Sequence, residues 1–142
     1  MDEREMVSRA EAVSQIRSMA VQFADLYFCF VQEIRAALGD EAAREMVRRV
    51  LFQRARERAQ AMVERADAQG VARTPENMPQ VSDIAYMGWV PALGREHCPF
   101  GVAWNARIAQ HPWFREYARM YCDVMDTTVA EAFTGNCSHK LY

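Results

Sequence analysis

Met19-Ala20-Val21-Gln22-Phe23-Ala24-Asp25-Leu26-Tyr27-Phe28-Cys29-Phe30-Val31 is the most apolar run in the chain, and its reading decides the fold. A membrane-crossing helix needs about 20 apolar residues. This run is shorter and is interrupted by Gln22 and Asp25, so it is expected to be a core helix. Working outward, Val13, Ile16, Ala20, Phe23, Tyr27, Phe30, Ile34 and Ala37 recur at alternating spacings of three and four, the signature of a long amphipathic helix with a coiled-coil-like seam. Leu26, Phe28 and Val31 widen that stripe, so the helix is expected to pack against several neighbours, with Cys29 among its buried residues. Gly39 suits the left-handed position after a helix, and Asp40 suits the cap of the next.

Glu41 to Gln69 reads as a second helix, rich in Ala, Arg, Glu and Met. Its arginines Arg48, Arg54, Arg56, Arg58 and Arg65 are interleaved with Glu57, Glu64 and Asp67, which predicts a solvated, ion-paired face rather than a phosphate-binding one. Gly70 closes the helix, and Arg73 to Gln80, with two prolines, is expected to be a connection. A short helix is expected from Ser82-Asp83 through Met87. The apolar loop Gly88 to Gly94 follows, and it must pack, line a pocket or meet a partner subunit. Cys98-Pro99 starts a further helix, with Pro in its first turn, and His111-Pro112 repeats the device for a last helix running to Phe133. Gly135 ends that helix, leaving Cys137 to Tyr142 room for a short strand. The expected fold is mainly α, a single-domain bundle of about five helices over residues 1–142, with an N-terminal helical pair at 3–69 and a site-bearing half at 81–142.

A chain of 142 residues that is 51% hydrophobic can bury a core without help from metal or disulfides. The formal charge of -2 lacks the electrostatic footprint of a nucleic-acid binder, so neither nucleic acid nor a membrane is an expected partner. The first residues carry no apolar leader, which gives a cytoplasmic expectation, and the four cysteines are then free thiols rather than a disulfide framework.

Three of those cysteines lie in the last third, each beside His or Asp: His97-Cys98-Pro99, Cys122 to Asp126, and Gly135-Asn136-Cys137-Ser138-His139. Cys98 precedes a Pro-initiated helix, where the positive end of the helix dipole favours a reactive thiolate. Cys122 and Asp126 lie one helical turn apart, in line with Arg115 and Arg119, so a thiol, a carboxylate and guanidinium groups share one helix face. Cys98, Cys122, Cys137 and His97 or His139 could together form a thiolate-rich zinc site, although no Cys-x-x-Cys pair marks one.

From Trp89 onward the chain resembles the L-2-amino-thiazoline-4-carboxylic acid hydrolase-like proteins, through Cys98-Pro99 with Trp104 following, Cys122 to Asp126, and the turn Gly135 to Cys137. It departs from that pattern in the single residue between Gly135 and Cys137 and in the short stretch from Asp126 to Gly135. The resemblance implies hydrolysis of a C–N bond in a small, carboxylated cyclic amidine. Cys98 or Cys122 would be the nucleophile, and His97 or His139 would move protons. Asp126 would hold the amidinium, Arg115 or Arg119 the carboxylate, and Trp89, Trp104 and Tyr121 would wall off water. The competing expectation is a non-enzymatic helical module that binds a small ligand or zinc and forms a homo-oligomer through its first helix.

Overall fold

The computed structural model describes residues 5–89 and 98–135. The protein is mainly α. Among the described residues there are five α-helices and no strand: α1 (Arg9–Leu38), α2 (Asp40–Gln69), α3 (Met78–Val81), α4 (Pro99–Gln110) and α5 (Phe114–Thr134), with 3-10 turns at Pro75–Asn77 and Tyr86–Gly88. None of these helices is long and apolar enough to cross a membrane. The expected strand at 137–142 lies outside the described residues.

Two compact units can be distinguished. The first takes the described residues up to Gln32 together with Ala85–Arg115, and the second takes Glu33–Ile84 with the residues from Glu116 onward. The first unit is built on rings. Phe28 is buried against Phe114 in an edge contact at 5.0 Å, with Trp113 at 5.9 Å and His111 at 5.2 Å. Tyr27 meets both Trp104 and Phe114. The Arg107 guanidinium lies 4.5 Å from the centre of the Phe28 ring and hydrogen-bonds Asp25 at 3.2 Å, which holds α4 to α1 by charge as well as by packing.

The second unit rests on small residues. Ala43, Val47, Leu51, Ala55, Ala59, Met62 and Ala66 line the buried face of α2, and four alanines among them permit close helix approach. On α5, Tyr117, Val124, Met125, Val129 and Phe133 are buried at helical spacing. Gly70 adopts a left-handed φ of 69° and donates back to Ala66 and Asp67, which ends α2 as expected.

Several local expectations are corrected. Cys29 is exposed, and so are Phe23 and Phe30, whereas Val13, Ala20, Ala24, Phe28 and Val31 are the buried positions of α1. Two overlapping three-four patterns run along this helix. The one carrying Ala20 and Ala24 faces inward because small side chains let the Trp104 ring come close enough to donate to the Ala24 carbonyl oxygen at 2.9 Å. Asp40 does not cap α2. It is the helix's first residue, its carboxylate engages Arg35, Arg44 and Tyr117, and Gly39 with φ 83° occupies the cap position. The expected helix from Ser82 is displaced to Met78–Val81, where Pro79 sits at a helix start, and the Ser82 hydroxyl instead accepts from the Ile84 N–H in a tight turn. Arg58 is not solvated: it forms a two-pronged pair with Asp83, whereas Arg54 and Glu57 do pair along the helix.

Candidate functional site

Cys98 is the N-cap residue of α4, with Pro99 in the first turn, as its sequence context predicts. Its thiol makes no cap hydrogen bond and is exposed. Instead the sulfur accepts the indole N–H of Trp89 at 3.3 Å. Trp89 stands edge-on to Phe100 at 5.4 Å, and Phe100 stacks on Phe23 at 5.3 Å, so a short wall of aromatic rings leads away from the thiol. Gly101 lies one turn into the helix, and a Cβ there would come within 3.8 Å of the Cys98 Cβ. Its hydrogen leaves more room beside the thiol than any side chain would.

The turn carrying Trp89 is pinned by two residues that sequence reasoning did not single out. Arg17 donates to the Gly88 carbonyl oxygen at 2.6 Å, and a Cβ on Gly88 would lie 2.7 Å from the Ile16 Cγ2 methyl. That methyl belongs to a β-branched side chain on a helix, whose rotamer has little freedom. Gly88→Ala is therefore expected to cost about 1–3 kcal/mol. It should also loosen the Trp89–Cys98 contact, as a lower urea midpoint and an altered rate of Cys98 alkylation would show.

The second group of expected site residues is found in the other unit. Cys122, Asp126 and Arg119 are exposed on α5, and Tyr121 beside them is half-buried. Partial burial, opposed by the nearby Arg58, pushes the Tyr121 hydroxyl up to about 12, with the charges of Cys122 and Asp126 adding to the rise. Partial loss of hydration raises the Asp126 carboxyl above its ordinary value, against the pull of Arg58 and with a push from Asp123. Asp83 shows the opposite balance, since burial would raise its carboxyl but the bonds from Arg58 outweigh it and leave it lowered. Arg58 is thus the cation that this carboxylate-thiol face shares, and it is already held by Asp83. Charge runs alone do not reveal such a pairing, because its partner lies 25 positions away in the chain.

The expected constellation is divided accordingly. Cys98, Trp89, Trp104 and Arg115 belong to the first unit, and Cys122, Asp126, Arg119 and Tyr121 to the second. Trp104 is 3% exposed and its indole N–H is satisfied by the Ala24 carbonyl oxygen, so its ring is packed in the core of the first unit. His97, Cys137 and His139 lie outside the described residues, as does most of the apolar loop after Trp89. Among the described residues no group of three His, Cys, Asp or Glu side chains is placed to hold a metal ion. No family model, curated protein or solved structure matches the chain.

Proposed function

We propose that the protein is a hydrolase that opens a C–N bond of a small amidine-type substrate through Cys98. One observation supports this reading above the others: an exposed thiol at the start of a 12-residue helix receives an indole N–H and borders an aromatic wall. An N–H aimed at sulfur binds most strongly when the sulfur carries negative charge, as it does on the way to attack. A flat cationic amidinium suits the face of an aromatic ring such as Trp89 by cation–π attraction, in place of the Asp126 carboxylate that the family resemblance implies. Cys122 lies in the middle of α5, one turn from the Asp126 carboxylate, whereas Cys98 stands at a helix start, which favours Cys98 as nucleophile.

In the proposed reaction the Cys98 sulfur adds to the amidine carbon and the C–N bond breaks. The thiol proton leaves on the departing nitrogen, carried by His97, its neighbour in sequence. Water then adds its oxygen to the same carbon and the C–S bond breaks; one water proton returns to sulfur and restores the thiol, and the other stays on the nitrogen of the product as the oxygen becomes its carbonyl.

Limited alkylation with iodoacetamide, mapped by mass spectrometry, tests the thiol. Cys98 should be labelled at least about tenfold faster than Cys29, which is also exposed but has no helix start behind it; equal rates would overturn the reading. In an assay with 2-aminothiazoline-4-carboxylate, Cys98→Ser should lower turnover by at least roughly a thousandfold while Cys122→Ser leaves it nearly unchanged. Turnover that survives Cys98→Ser removes Cys98 from the role.

A further inference from the structure

The exposed face of α1 carries Met19, Phe23, Leu26 and Phe30, which are 70%, 50%, 57% and 61% exposed. Their 4-3-4 spacing makes a straight stripe along one side of the helix, within a single unit. The other exposed residues between positions 12 and 32 are Ser14, Gln15, Ser18, Gln22 and Cys29. None is charged, and depletion of charge around apolar and aromatic anchors is the compositional mark of an interface core.

We propose that this stripe is the interface between two copies of the chain. Area favours this occupant. With large side chains presenting about 150–250 Å² each when free, these fractions leave roughly 500 Å² of apolar surface per chain, at the upper end of what a monomer usually exposes. Two such stripes face to face, with their flanking Ser18, Gln22 and Cys29 side chains, approach the roughly 1,200–2,000 Å² buried by stable pairs. The pattern is also self-complementary. Turned through a two-fold axis between Phe23 and Leu26, the stripe sets Phe23 of one copy against Leu26 of the other and Met19 against Phe30, and no like charges meet.

Sedimentation equilibrium of the full chain at tens of micromolar, with reductant present so that Cys29 cannot form a disulfide, tests the proposal. The wild type should sediment at twice the chain mass of 16.3 kDa. Leu26→Glu and Phe30→Glu should each weaken the pair by at least about a hundredfold, because each buries a charge without a partner. Circular dichroism checks that both variants stay helical, and Ser14→Glu, exposed but outside the stripe, should leave the mass unchanged. A wild type that sediments as a single chain overturns the proposal, as does a dimer that survives both stripe variants.

Discussion

Replacing Trp104 with Ala is expected to destabilise the protein by about 3–5 kcal/mol. The side chain is almost fully buried, and its ring is packed by Tyr27, Phe100 and Phe114, with centroids at 5.4, 5.3 and 6.2 Å. Truncation would remove the ring from all three contacts and open a cavity between α1 and α4 that rigid neighbouring rings cannot readily fill. Trp104→Phe keeps a ring and loses the hydrogen bond to Ala24, so it should cost less, about 1–3 kcal/mol. Urea unfolding of both variants measures the difference. A Trp104→Ala protein of nearly wild-type stability that fails only in turnover would mean that the ring serves the substrate rather than the core.

Tyr117→Ala should cost a similar amount, about 3–5 kcal/mol, and Tyr117→Phe separates the ring from its hydroxyl. The ring is 0% exposed, and its hydroxyl donates to the Asp40 carboxylate at 2.9 Å, where Arg35 and Arg44 also converge; Arg44 further reaches Glu116. A hydrogen bond to a charged acceptor contributes about 1.5–3 kcal/mol, so Tyr117→Phe should lose about that much near neutral pH. The Tyr117 bond is also the largest cause holding Asp40 below the usual carboxylate range, with Arg35 and Arg44 reinforcing it against partial burial. A carboxylate depressed by folding stabilises the protein fully above its unfolded value of about 3.9 and loses that contribution as pH falls through the lower folded value. The stability gap between wild type and Tyr117→Phe should therefore narrow on going from about pH 6 to about pH 2.5. A gap that stays constant with pH would mean that the hydroxyl does not act through the Asp40 charge.

The four long helices were legible because each repeats its apolar positions over several turns, and a misread residue or two does not change the period. Gly70 and Pro99 set boundaries correctly because their chemistry is local: one tolerates a left-handed backbone, the other lacks an N–H. Asp40 was misassigned for the opposite reason. Its side chain had a nearby backbone to cap, but a buried tyrosine 77 positions away and two arginines compete for the same oxygens. The placement of Cys98 at a helix start could be read from Cys98-Pro99 alone, whereas the indole donor could not. The turn that carries Trp89 is held on α1 by Arg17 and by the close approach that Gly88 permits, contacts from 71 positions away that the local sequence does not announce.

The sequence by itself determined the helical class, most helix ends and the position of one thiol at the start of α4, because periodicity, glycine geometry and proline chemistry act over a few residues. Tertiary structure decided which face of α1 is inside. Both of its three-four patterns are apolar enough to be buried, and the choice fell to Ala20 and Ala24, whose small size admits Trp104, leaving Phe23, Leu26, Cys29 and Phe30 at the surface. It also buried Trp104 against Ala24, 80 positions away, and held the turn beside Trp89 through Arg17 and Gly88, 71 positions apart, because such contacts join residues that no local pattern relates.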